Sequence, residues 1–200
     1  MEYIELSLED VEKKSKELYE MILKDKFDFE LVIFIAKGSF PIAKKLSKDS
    51  NVPLLEISAT RKGGGVKKIL KPFLKIVPKR LLIYLRRKEM KSTYHEKNCE
   101  RNISFSVSKY KKYLKCNKIL LIDDSIDSGY SIIEVKKALE NYFNAADIRV
   151  AVFNTMKKSI IRPDFTLYED TMICGPWSND SKFYSTFLTE YKKWKKEYDR

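Results

Sequence analysis

The run Ile119-Leu-Leu-Ile-Asp123-Asp124-Ser125-Ile126-Asp127-Ser128-Gly129-Tyr130-Ser131 sets three carboxylates, three serines and a glycine behind four apolar residues. The apolar part has the composition of a strand buried on both faces. Ligands of open α/β sheets bind beyond the carboxyl ends of such strands. The turn then leads through Ser128, Gly129 and Ser131 into a helix start, where exposed N–H groups and two hydroxyls suit a phosphate. Carboxylates beside a phosphate repel it unless they hold its hydroxyl groups or a hard cation such as magnesium. The run therefore predicts a ligand with a phosphate, a polyol and a metal ion. An EF-hand loop would use Asp123, Ser125, Asp127 and Glu134, but Ser128 stands where that loop needs glycine and an apolar strand precedes it. A phosphoacceptor signalling domain needs more chain after Asp123 than is present. A purely structural turn is the remaining alternative.

The elements that must position this run follow from periodicity. Ser7 and Asp10 open a helical pattern carried by Leu8, Val11, Leu18, Tyr19 and Ile22 to about Lys24. Strands are predicted over 30–36, 52–57, 103–107, 118–123 and 148–154, with short late strands over 165–168 and 172–174. Helices are predicted over 40–46, with Pro41 in the first turn, over 130–142, and over 180–198. Strand, helix, strand in succession predicts parallel α/β units. The fold class is α/β, with a mainly parallel sheet flanked by helices, in a single domain spanning 1–200.

Charge singles out the middle of the chain. Residues 61–118 hold 19 Lys or Arg against three Glu, whereas the rest carries 21 basic and 25 acidic residues. A basic helical insertion at about 66–115 is predicted, with apolar stripes through Ile69, Phe73 and Val77 and through Leu81, Leu82 and Leu85 flanking Pro78. Its simplest role is a solvated amphipathic face. Otherwise Lys67, Lys68, Lys71, Lys75, Lys79, Arg80, Arg86 and Arg87 would meet an anionic acceptor, a nucleic acid or a membrane surface. No apolar stretch reaches the roughly 20 residues of a spanning helix. The acidic start Met-Glu-Tyr-Ile-Glu lacks the positive charge of an export signal, so a cytoplasmic location is expected. Cys99, Cys116 and Cys174 lack zinc spacing and read as reduced thiols, and His95 as a surface residue.

With the acidic run, its strand, the hydroxyl-glycine pair and the second hydroxyl on the page, the chain resembles the type I phosphoribosyltransferases, especially purine and hypoxanthine-xanthine members. The resemblance implies a phosphoribosyltransferase-like core with a small hood, and an enzyme that uses phosphoribosyl pyrophosphate (PRPP) and Mg2+. It implies that Asp123 and Asp124 hold the ribose hydroxyls and the metal. It also implies that Asp127, Ser128, Gly129, Tyr130 and Ser131 cradle the 5′-phosphate, and that Asp127 is a general base near the accepting nitrogen. Ile33-Phe-Ile-Ala36-Lys37-Gly38-Ser39 resembles the family's pyrophosphate loop. That assigns Lys37, Gly38 and Ser39 to pyrophosphate, makes Lys37 catalytic, and implies a strained Ala36–Lys37 peptide, with cis as one form of it. Arg61-Lys-Gly-Gly-Gly65 stands where the family carries a mobile closing loop, and Arg61 joins the pyrophosphate group.

Thr171-Met-Ile-Cys-Gly-Pro-Trp177 resembles the late region that forms the base pocket. It assigns Met172, Ile173 and Trp177 to the acceptor. The family's base-stacking aromatic is replaced by Met172, and its lysine, expected near Thr155, is replaced by Lys157. A nucleobase acceptor, most simply a purine, and a homodimer are what the resemblance implies. The alternative is a PRPP-binding regulator that uses the basic insertion on nucleic acid.

Overall fold

A computed structural model describes residues 2–61, 101–144 and 146–200. Its strands are β1 (Glu2–Glu5), β2 (Leu31–Ile35), β3 (Leu54–Arg61), β4 (Arg101–Phe105), β5 (Lys118–Ile126), β6 (Asp147–Thr155), β7 (Phe165–Glu169) and β8 (Thr171–Cys174). Its α-helices are α1 (Leu8–Lys24), α2 (Phe40–Ser50), α3 (Val107–Tyr110), α4 (Tyr130–Tyr142) and α5 (Tyr184–Tyr198). The pattern that predicts α1 is matched at both levels. The Ser7 hydroxyl accepts from the Asp10 amide at 3.1 Å, and the Asp10 carboxylate accepts from the Ser7 amide at 2.9 Å. Val11, Leu18 and Ile22 then fall on one buried stripe.

The main sheet has the order β4-β3-β2-β5-β6-β7, with β4 antiparallel to β3 and every other pairing parallel. All five residues of β2 are buried, as a strand covered on both faces requires. Its alternation feeds two cores. Val32 and Phe34 pack with α1, α2 and Phe187 of α5 on one face. Leu31, Ile33 and Ile35 pack with Ile132, Val135 and Leu139 of α4 and with Tyr110 on the other. A second small sheet pairs β1 with β8 in parallel, from Glu2 opposite Thr171 to Glu5 opposite Cys174, and stands as the hood.

Two differences from the sequence reading have physical causes. The strand expected over 103–107 lies at Arg101–Phe105, and its most buried position is Arg101 itself, 9% exposed. A charged residue at an inward position breaks the apolar alternation that locates a strand. Residues 106–115 then leave the sheet as α3 and a 3-10 turn at Lys111–Tyr113, anchored by the fully buried Tyr110, whose hydroxyl donates to the Glu56 carbonyl at 3.1 Å. Residues 101–115, read as the end of the insertion, thus contribute an edge strand and a core aromatic. The two basic helices and the glycine loop fall on 62–100, outside the described residues. No described helix is long and apolar enough to cross a membrane.

The closing helix starts at Tyr184 and packs as an aromatic ladder. Trp194 meets Phe34 and Phe40 at ring separations of 5.3 and 5.1 Å, and Tyr191 meets Phe40 at 5.4 Å. Glu56 on β3, 9% exposed, accepts from the Tyr191 hydroxyl at 2.8 Å and from Lys195 at 2.7 Å.

Candidate functional site

β2 leads through α2 to β3 on one side of the sheet, and β5 leads through α4 to β6 on the other. The order of connection reverses between β2 and β5, so a crevice opens beyond their carboxyl ends. Phe34 lies opposite Ile122, so the turn after β2 and the acids after Ile122 leave the sheet side by side. The Ala36–Lys37 peptide is cis. The Ser39 hydroxyl is fully buried and donates back to the Ile35 carbonyl at 2.5 Å, which ties the turn closed. Lys37 is exposed, with its ammonium 5.9 Å from the centre of the Tyr184 ring. Gly38 faces the acids directly: a Cβ there would lie 3.1 Å from Asp124 Oδ1 and 3.2 Å from Trp177 Cδ1.

Asp123 and Asp124 are partly buried, and the Asp124 amide donates to Asp123 Oδ1 at 2.9 Å. Burial first, and then the charge of Asp124, push the Asp123 carboxyl well above the usual carboxylate range. Burial also raises the Asp124 carboxyl; the neighbouring Asp123 and Trp177 side chains work in the opposite direction. A pair of acids that cannot both ionise cheaply is a pair that gains from a cation. Among the described residues no cage of three or more His, Cys, Asp or Glu side chains forms. Two adjacent carboxylates do fit magnesium, which keeps most of its waters and fills its sphere from substrate oxygens.

The turn into α4 forms the second half of the site. Gly129 has φ +94°, in the left-handed region that favours glycine, and a Cβ there would stand 2.6 Å from Ile161 Cγ2 and 3.0 Å from Ser159 Oγ. The Ser128 carbonyl accepts from the Ile160 amide at 3.1 Å, so the turn is pinned to the segment after β6. A hollow of about 80 Å³ lies here, lined by Asp123, Asp127, Ser128, Gly129, Ser131 and Arg101 among others. Arg101 Nε donates to Ser131 Oγ at 3.1 Å. Sequence reasoning missed Arg101, because it sits 22 positions before Asp123 in a polar stretch and reaches the hollow only through the β3–β4 pairing.

The expected acceptor residues separate. Trp177 lies at the acids, against Gly38 and packed onto Gly175, with its ring 6.4 Å from Phe153. Met172 is buried in the hood strand opposite Tyr3, and Ile173 packs against the main core. Lys157 is exposed; its amide donates to Asp170 Oδ1 at 2.9 Å and its ammonium pairs with Asp170 at 3.6 Å. Its charge is answered there rather than at the acids. Thr155, where the resemblance expects a lysine, is buried with a hydroxyl that has no partner. The Arg61 side chain lies outside what is described.

A family model described as the phosphoribosyl transferase domain matches residues 2–178. Among solved structures, the chain is similar to a purine phosphoribosyltransferase from Pyrococcus horikoshii, at TM-score 0.58 and 16% identity over 89% of this chain and 95% of that one. It is also similar to a Helicobacter pylori xanthine-guanine-hypoxanthine phosphoribosyltransferase, at TM-score 0.61 and 16% identity over 92% and 99%. A Neisseria gonorrhoeae protein with bound ppGpp matches at TM-score 0.62 and 16% identity over 96% and 97%. No curated protein matches the chain.

Proposed function

The chain belongs to the phosphoribosyl transferase domain family, and from that premise we propose that it moves the 5-phosphoribosyl group of PRPP to a ring nitrogen of a purine base and releases pyrophosphate. The observation that carries this reading is the close approach of Gly38, in the turn after β2, to Asp124, in the acidic pair after β5, at the point where the sheet reverses its order of connection. That crevice offers one place for a leaving pyrophosphate and, beside it, one for a ribose.

Asp123 and Asp124 accept from the ribose hydroxyls and hold the magnesium ion, which when bound neutralises charge on the departing pyrophosphate. The amides at Gly38 and Ser39 and the Lys37 ammonium receive that pyrophosphate. Because its hydroxyl serves the Ile35 carbonyl, Ser39 contributes through its backbone. The N-terminus of α4 and the Ser128 and Ser131 hydroxyls cradle the 5′-phosphate. As the C1–O bond to pyrophosphate breaks, the acceptor nitrogen forms the new C1–N bond with inversion, and Asp127 takes or steers the proton that nitrogen gives up. Fixing the ribose between the two loops supplies orientation.

A purine acceptor is supported by the names of the neighbours from P. horikoshii and H. pylori. The alternative of a nucleic-acid-binding regulator draws on basic residues that lie mostly in 62–100, and no comparison favours it. The test is pyrophosphate release from PRPP and Mg2+ with hypoxanthine, guanine, xanthine, adenine, orotate or uracil, beside Asp127→Asn. Release with one purine, lost in the variant, is the expected result. PRPP that binds without release for any base would remove the salvage reading.

A further inference from the structure

We propose that Arg101 is a substrate-holding residue that supplies the positive charge and the planar hydrogen-bonding fork for the 5′-phosphate. The proposal rests on the PRPP reading above and extends it to a residue that the signature run does not contain.

The hollow at the start of α4 has a charge problem. Asp123 and Asp127 line it, and the groups that face a phosphate there are the neutral Ser128 and Ser131 hydroxyls and backbone amides. A phosphate brought to two carboxylates needs a cation, and among the described residues that line the hollow Arg101 is the one that carries positive charge. Arg101 is held there by the fold: it is 9% exposed, at the inward position of an edge strand.

Its orientation is set by the cradle. Arg101 Nε donates to Ser131 Oγ at 3.1 Å, so the hydroxyl expected to meet the phosphate also fixes the guanidinium plane beside the hollow. A guanidinium carries five donors in a rigid fork that matches phosphate geometry, which a lysine ammonium does not. The position is firm as well. Arg101 pairs opposite Arg61 in the antiparallel ladder, and α4 packs against the same strand. The residue is therefore delivered by the sheet and needs no loop closure to reach the site.

The experiment measures the affinity of the full chain for two part-ligands: ribose 5-phosphate, which has the 5′-phosphate alone, and Mg-pyrophosphate, which has only the leaving group. Arg101→Gln is expected to weaken ribose 5-phosphate by about tenfold to a hundredfold, the usual range for losing a charge-assisted hydrogen bond. The KM for PRPP is expected to rise in parallel, with pyrophosphate affinity held within about twofold. Arg101→Lys, which keeps the charge without the fork, is expected to lose less, about threefold to tenfold. Unchanged ribose 5-phosphate binding in a folded Arg101→Gln protein would overturn the proposal, as would an equal loss for both ligands, which marks a structural role. Should the Gln variant not fold, a Lys variant as tight as wild type overturns it. If wild type binds neither ribose 5-phosphate nor PRPP, the PRPP reading falls and this proposal with it. If wild type binds both and the Gln variant binds alike, only the role of Arg101 falls.

Discussion

Gly129→Ala perturbs the phosphate cradle at its most constrained point. Two costs are legible in the structure. At φ +94° an alanine sits in the left-handed half of conformational space, at about 1–2 kcal/mol for an L-residue. Its methyl would also stand 2.6 Å from Ile161 Cγ2 and 3.0 Å from Ser159 Oγ, and overpacking of this kind costs about 1–3 kcal/mol. The sum, about 2–5 kcal/mol, lowers the melting temperature by roughly 4–20 °C in a chain of this size. Because the turn is tied through the Ser128 carbonyl to Ile160, relief of the clash also moves Ser128 and Ser131, so the KM for PRPP should rise severalfold. The assay is thermal melting with PRPP kinetics on Gly129→Ala and on the double variant Gly129→Ala/Ile161→Ala. The double variant should recover the part due to the Ile161 contact, against the loss from Ile161→Ala alone, and none of the part due to φ or to Ser159. A Gly129→Ala protein that melts with wild type and keeps its KM would refute the reasoning.

Three further outcomes follow from the same geometry. The Asp123 carboxyl is raised in the folded state by burial and by Asp124, so the fold binds that proton more tightly than the unfolded chain. The ligand-free protein should therefore gain stability as pH falls from neutral through the raised value towards the ordinary carboxylate range, and Asp123→Asn should flatten that rise in a series of melts; a rise that survives in the variant belongs to another group. Trp177→Phe removes the indole N–H dipole that helps hold the Asp124 carboxyl down, so the pH dependence of Mg-PRPP binding should shift to higher pH, and a shift to lower pH counts against the assignment. Thr155→Val replaces a buried hydroxyl without a partner by an apolar group of the same shape and should stabilise the fold by about 1 kcal/mol in denaturant titration, whereas a loss of stability would mean that the hydroxyl is satisfied.

Much of the site is local and could be read from residue order. The strand before Asp123, the glycine at the start of α4 and the capping box of Ser7 and Asp10 each depend on neighbours within a few positions. The turn after β2 is equally local, and only the closeness of Gly38 to Asp124 needed the fold. What escaped is set by pairing between distant segments. β1 is four residues with acids at both ends, and it exists because β8 pairs with it. Arg101 reads as loop until β3 brings it to Ser131. Lys157 looks available in sequence, yet its charge is met by Asp170, 13 positions away. Met172 and Trp177 lie in one short run, but the hood buries the first and the turn after β8 brings the second to the acids.

The central claim is an exchange of one bond for another at the ribose C1, and phosphorus NMR follows it directly. Full-length protein with PRPP, Mg2+ and hypoxanthine or guanine should consume the PRPP resonances while pyrophosphate and a nucleoside 5′-monophosphate grow in equal amounts, with no change when the base is omitted. Pyrophosphate that accumulates without nucleotide, or PRPP that persists with every base in the panel, would contradict the account.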